Sequence, residues 1–469
     1  MTPTHPAPTA GRLVAILLAA AGLAAAGAAD DAAPAAGSAP PTTPVREFLE
    51  ERGIARADRE PLAASGGWTD TKQAVLIRVL ARLTAPAPLT LAWWESAPPL
   101  DPAAGVPPIT DDLVRVTGRA TFVAPQTLSP DLAVLAGTDR YDLVRIVVAG
   151  GTPVDVACPN APRAWPRGQP IDEPASTVAL PLAAGGGPET GPAAGSPSAG
   201  GEPAPPAALL LAATRVAWTP PTPLGRLGVD CGLLDAVNDG PKGAGARLEA
   251  SDTEAFFAVL AAVGGEAAEI ERAAGPPADV VPIIDPTRRW FDTHRGDPLC
   301  VAGIARRATR IAIDDPARRR QVGADHYWEL YVFVPTPLLQ VNGRLQEDYP
   351  VVCCVRDLPA GMPSGERIGE RVRVAGFALK RYSYPLQDLR ISSSQGDERR
   401  TGERMATVLL VGDRPVWLPE PTEARTTDTL FWVFAAIMGL IGLVLAWSAL
   451  SWRRSAAARR DRLPDRIDL

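Results

Sequence analysis

The octapeptide YDLVRIVV, Tyr141 to Val148, aligns without a gap on YWELYVFV, Tyr327 to Val334. A chain that writes one alternating β-type run twice is constrained to fold as two related units. Three further blocks recur in the same order. VACPNAPRAWPRGQPI (156–171) and CCVRDLPAGMPSGERI (353–368) share P-x3-P-x-G-x2-I, with Pro162, Pro166, Gly168 and Ile171 matched by Pro359, Pro363, Gly365 and Ile368. Upstream, Val116-Thr117-Gly118 matches Val301-Ala302-Gly303, and downstream RVAWTPP (215–221) matches RPVWLPE (414–420).

Each unit is predicted to begin with a helix. Thr69 and Asp70 precede a run with Val75, Leu76, Val79, Leu80 and Leu83 on one face; Ser251 and Asp252 precede Phe256, Phe257, Val259, Leu260 and Val263. Side-chain oxygens at such starts accept hydrogen bonds from the free N–H groups of the first turn. Strands follow from β-branched and aromatic alternation broken by Gly and Pro. They are expected near 113–123, 141–148, 153–158, 176–182 and 207–213, then 299–313, 327–334, 350–356, 370–380 and 405–411. Five short strands that must hide their edges predict a small closed barrel. The P-x3-P-x-G segment reads as a loop between the third and fourth strands, and Trp417 as a plug at the barrel end. Val372 and Val374 are expected to point inward, with Gly376 permitting a sharp bend.

The strand order and the VRVAG phrase (372–376) resemble the OB fold. Across residues 45–421 the chain resembles a functionally uncharacterised group of exported bacterial membrane proteins with tandem OB-fold-like barrel units and a C-terminal transmembrane helix. The tandem units of that group have the form V-x-V-x-G, Y-x-x-W/L with a β run, L-P-x-G-x-P-x-G, R-V-R-V-x-G-F/Y-F/A-x-K-R and W-x-P, and the likeness is strongest from Pro298 to Pro421. The resemblance implies architecture and brings no activity. The first unit departs at its fourth strand, where STVALPLA (176–183) replaces the basic, aromatic phrase, and then enters a Gly-, Pro- and Ala-rich insertion at 183–207.

The ends of the chain define topology. Residues 430–452 contain no charge, with Phe431, Trp432 and Phe434 at one end and Trp447 and Trp452 at the other. That length crosses about 30 Å of hydrocarbon as a helix, and aromatics favour its interfaces. Six arginines follow in the tail at 453–469, which places the tail in the cytoplasm and the bulk of the chain outside the inner membrane. At the other end, Arg12, an Ala- and Leu-rich run and Ala26-Gly27-Ala28 read as a secretory signal over 1–29, followed by a disordered linker at 30–44. The expected organisation is therefore mainly β with some α: a first helix-plus-barrel unit at 45–221, a second at 222–421, one transmembrane helix and a basic tail.

Chemistry is sparse. Of three histidines, His5 falls in the signal, leaving His294 and His326 without metal-ligand spacing. No nucleophile elbow, Walker loop or dinucleotide fingerprint occurs. Neither a catalytic residue nor a cofactor nor a metal is expected. Five cysteines, Cys158, Cys231, Cys300, Cys353 and Cys354, contain no C-x-x-C; a disulfide is permitted outside the cytoplasm, and small buried hydrophobes are the alternative. The net charge of −6 gives no field to attract nucleic acid, and none is expected as a partner.

Two basic groups stand out. Arg306, Arg307, Arg310, Arg318, Arg319 and Arg320 flank the turn DDPARRR (314–320), and Lys380 with Arg381 follows the fourth strand of the second unit. A solvated strand edge and contact with an anionic partner both account for them. The first unit has no counterpart of Lys380, Arg381, Tyr382 and Tyr384. Folding the unit then need not require these four, which makes them the candidate ligand or partner contact. The expected function is non-enzymatic: a single-pass protein presenting two barrels to a protein partner in the envelope. The alternative is binding of an anionic ligand (lipid headgroup, wall polymer or acidic protein) by the second barrel.

Overall fold

The computed structural model describes residues 45–64, 67–83, 97–101, 111–184, 209–240, 245–341, 344–385, 404–418 and 426–460. The expected signal at 1–29, the linker at 30–44, nearly all of the insertion at 183–207 and the tail beyond residue 460 lie outside the described residues.

The protein is mainly β with helices: two six-stranded sheets in tandem, then one apolar C-terminal helix. The first sheet contains β1 (Val114–Thr127), β2 (Arg140–Val148), β3 (Pro153–Cys158), β4 (Pro170–Ala184), β5 (Leu209–Ala213) and β6 (Ala217–Trp218). The second contains β7 (Pro298–Ala312), β8 (His326–Val341), β9 (Arg344–Val355), β10 (Glu370–Pro385), β11 (Arg404–Gly412) and β12 (Val416–Trp417). Pairing runs β1–β2–β3–β5–β4, and β4 pairs back onto β1 while carrying β6. The second sheet repeats this as β7–β8–β9–β11–β10, with β10 returning to β7 and carrying β12. Among the pairings of the named strands, β3–β5 and β9–β11 are parallel and the rest antiparallel.

The duplication extends to single hydrogen bonds. The Gly168 amide donates to the Val123 carbonyl (2.8 Å), and the Gly365 amide to that of Ala308 (2.9 Å). Within the proline loops, Trp165 N donates to Pro162 O and Met362 N to Pro359 O, each at 3.0 Å. The indole of Trp218 donates to Glu173 (2.9 Å) and that of Trp417 to Glu370 (2.7 Å). Bulges also coincide: Ala120/Phe122 with Ala305/Arg307, and Pro181/Ala183 with Ala378/Lys380. Gly118 and Gly303 occupy the same place. A Cβ there would overlap the carbonyl oxygen of Val147 or Phe333, so each strand crosses its neighbour where only glycine fits.

Burial on both faces explains why these strands read as continuous apolar runs. Along β5, Leu209, Leu211 and Ala213 pack with Val116 and Ile146, whereas Leu210 and Ala212 pack with Leu76 and Leu80. Successive side chains point to opposite faces, so one five-residue strand supplies two cores. The helices are α1 (Val45–Glu51), α2 (Arg56–Ala63), α3 (Asp70–Leu83), α4 (Pro130–Ala136), α5 (Thr253–Ala262), α6 (Ala267–Ala274), α7 (Pro316–Val322) and α8 (Thr426–Arg460), besides shorter helical turns. The apolar face read for α3 is buried throughout, as are Phe256, Val259, Leu260 and Val263 in and after α5.

Several expectations are corrected. Each sheet has a sixth, two-residue strand, whose tryptophan packs partly buried against the hydrophobic core and donates its indole N–H to a glutamate. The arginine-flanked turn contains α7, capped by Asp315, whose carboxylate accepts from Ala317 N, and closed by Gly323 at φ 72°. Its duplicate α4 ends likewise on Gly137 at φ 67°. Val372 and Val374 do point inward, but at Gly376 a Cβ would overlap the Val411 carbonyl oxygen, so close approach of β11 rather than bending requires the glycine.

In α8 the span Trp432–Arg453 has a mean hydropathy of 2.3 and is long and apolar enough to cross a membrane. Its large side chains are exposed, among them Trp432, Leu440, Leu443 and Trp447.

Candidate functional site

The four residues singled out on β10 do not form an open surface. Lys380 has no exposed area and forms an ion pair at 2.5 Å with Asp252, which is equally buried. Its ammonium also donates to the Arg247 carbonyl (2.8 Å). Asp252 further accepts from the amides of Asn238 and Glu249, each at 2.9 Å. Three separate pieces of chain thus meet at one carboxylate just ahead of α5. The register explains the placement. Lys380 follows the bulge in β10, and residues 245–247 lie along the side of β10 away from β11, where Ala246 N donates to Arg381 O and Ser383 N to Ala246 O, both at 3.2 Å.

Arg381 is half-buried. Its amide donates to Asp239 (2.8 Å) and its guanidinium to the Ile284 carbonyl (2.6 Å). Asp239 is held in turn by Arg295 at 2.7 Å. Tyr384 is wholly buried, edge-on to Tyr331 with ring centroids 5.9 Å apart, and burial raises its phenol far above the usual range. Tyr382 packs partly buried on the second core. Of the four, only Arg381 and Tyr382 retain exposed surface, because the segment preceding α5 covers β10.

In the first unit the pairing register puts Ala183 where Lys380 stands. A buried cation is nonetheless present there, contributed from the helical side. Arg59 of α2 has no exposed area, pairs with Asp111 and donates to the Pro181 carbonyl of β4 (3.4 Å). Both units therefore fasten their fourth strand to a helical segment through a buried cation, from opposite partners. Sequence reasoning missed this because Ala183 and Lys380 share no chemistry.

Five of the six arginines around the turn are engaged locally, and Arg320 is exposed. Arg306 pairs with Asp348 and lies over the Phe333 ring, 4.0 Å from its centroid. Arg307 pairs with Glu366 (3.0 Å), Arg310 with Asp325 (3.2 Å) and Arg318 with Glu254. Arg319 donates to the Ile313 carbonyl (2.5 Å). These contacts tie β7 and α7 to their neighbours.

A further cluster seats the connector between the sheets. Asp230 accepts from the amides of Trp218 (2.8 Å) and Gly232 (2.9 Å) and pairs with Arg215 (2.8 Å); burial nevertheless pushes its carboxyl up. Asp235 accepts from the Arg163 amide in the first proline loop (2.7 Å), and burial raises it as well. Leu224, Val229 and Leu234 of the same connector enter the second core.

His294 stacks on Trp290 (4.6 Å between centroids), with Nδ1 3.0 Å from the Trp290 carbonyl oxygen. His326 contacts Asp325 at 2.5 Å and Arg310 at 3.1 Å. The Thr293 hydroxyl also lies 2.7 Å from His294 Nδ1, between adjacent residues of one short helical turn. All five cysteines are buried free thiols, and burial raises Cys231 to about 11. Among the described residues no group of three or more His, Cys, Asp or Glu side chains is placed to hold a metal. No protein-family model matches the chain, and no curated protein matches it.

Proposed function

We propose that the protein is a single-pass, membrane-anchored exported protein in which each sheet closes as an OB-like barrel, the pair serving as an interaction scaffold without catalysis. The observation that carries the reading is the succession of two matching sheets and one helix apolar on all sides. A helix whose apolar side chains face outward all round suits a bilayer rather than a globular core. The return of β4 to β1 and of β10 to β7 supports the barrel, since closure removes exposed strand edges. The arginines that follow the apolar span support a cytoplasmic tail with the sheets outside the inner membrane. The scaffold reading is tested by cross-linking the full chain in native membranes and identifying what is captured. A defined envelope protein, recovered again in the reciprocal experiment, is expected. Recovery of the protein alone under conditions that capture known complexes sinks the idea.

A further inference from the structure

Among the described residues of the second sheet, large apolar side chains are exposed at a place that adjoins the exit toward α8. In β10, Val372 and Val374 point inward, so Arg371 and Arg373 face outward. Ile304 of β7 pairs with Arg371, Val416 of β12 pairs with Arg373, and Leu418 N donates to the Arg371 carbonyl (2.8 Å). Ile304, Val416 and Leu418 are 41%, 37% and 46% exposed, on one outer face. Arg373 is taken by Glu271, whereas Arg371 is exposed and carries no ion pair among the described residues.

The duplicate serves as an internal control. At the corresponding positions of the first sheet stand Arg119, Pro174, Ala217 and Thr219. Arg119 is neutralised by Asp172, and Ala217 is buried. There the chain beyond Trp218 turns back, and Asp230 and the connector close over the exit. In the second sheet the chain beyond Leu418 leads instead to α8. Seven residues separate Leu418 from Thr426, a reach of at most about 28 Å when fully extended. The apolar face is thus within tether length of whatever surrounds α8.

We propose that Ile304, Val416 and Leu418 rest in the headgroup region of the bilayer that holds α8, with the Arg371 guanidinium on lipid phosphate. Shallow apolar insertion beside a cation that binds phosphate is the chemistry of interfacial contact. The inference rests on the reading of α8 as a membrane anchor and adds the surface that sets how the second sheet lies against that membrane.

The test uses the full chain in nanodiscs of phosphatidylethanolamine and phosphatidylglycerol, with a water-soluble maleimide as probe. The five native thiols are buried, and their silence confirms folding of each variant. Leu418→Cys is compared with Leu135→Cys, a site of 48% exposure on the first unit. Labelling at Leu418→Cys is expected to be roughly tenfold slower, because a thiol in the lipid interface is withheld from an aqueous reagent, and Arg371→Glu is expected to abolish the difference. Equal labelling at both sites in chains that have entered nanodiscs overturns the docked face alone. A chain that does not enter nanodiscs overturns the anchor reading itself. Protection that appears only in discs holding two copies assigns the face to self-association and also overturns the proposal.

Discussion

Lys380 shows how a residue that looks like a ligand contact can be a fastening. Its side chain reaches a carboxylate 128 residues earlier in the chain, and nothing local in the sequence announces Asp252 as its partner. Removing one member of a buried ion pair strands the other, at a cost of about 3–5 kcal/mol. Lys380→Met is therefore expected to lower the chemical-denaturation midpoint sharply, while Arg381→Met, which keeps the Asp239 contact through its amide, lowers it much less. Equal midpoints for Lys380→Met and the parent would show that the pair does not hold the segment before α5. A loss of ligand binding in Lys380→Ala could not be read as a lost contact without this control. The absence of a lysine from β4 of the first unit does not make Lys380 dispensable in the second, because Arg59 supplies a buried cation to β4 from the other side.

At the scale of elements, the strands were the most legible part of the sequence. Both faces of β5, of β2 from Tyr141 to Val144, of β9 from Val351 to Val355 and of β11 from Val408 to Val411 are covered, so their apolar content is continuous and the repeat exposes it twice. The start of β4 at Pro170 was hidden by Pro170, Asp172, Glu173 and Pro174, a polar half of the strand with prolines. Helices α4 and α7 were hidden by length, seven residues each being too few for a helical period to emerge. Their Ser-Pro or Asp-Pro starts and Gly ends were the only available signal. The second strand of the second unit runs seven residues past the expected end, to Val341, as a hairpin with β9. Gly118 and Gly303 mark where strands cross closely. Gly118→Ala and Gly303→Ala are each expected to cost about 2 kcal/mol or more through backbone overlap. Gly369→Ala, with open space around it, should stay within about 0.5 kcal/mol of the parent. Thermal melts of the three variants decide this, and tolerance at either crossing would refute the close-approach account.

For the whole molecule, the proposed topology makes opposite demands on the two ends of α8. Alkaline carbonate should leave the full chain in the membrane fraction and release a chain ending at Leu418. A phosphatase active only outside the cytoplasm should work when fused after Leu418 and fail after Leu469, and the reverse pattern would invert the orientation. The candidate site was less legible than the fold at this scale. The face formed by Ile304, Arg371, Val416 and Leu418 gathers residues from β7, β10, β12 and the position just after β12, and what distinguishes it is the different fate of the chain after each tryptophan. Within the proposed compartment the cysteines acquire a kinetic meaning. Cys353 and Cys354 lie side by side in β9, sealed by cores on both faces, with no disulfide among the five thiols. A chain crossing into an oxidising space presents those thiols before β9 is covered, and β9 is covered only when β11, more than 50 residues downstream, arrives to pair with it. Long-range pairing of that kind is slow. The race between sheet closure and thiol oxidation is then set by translocation order, and every molecule that closes first carries its sulfur in a form that oxidants in the envelope can no longer reach.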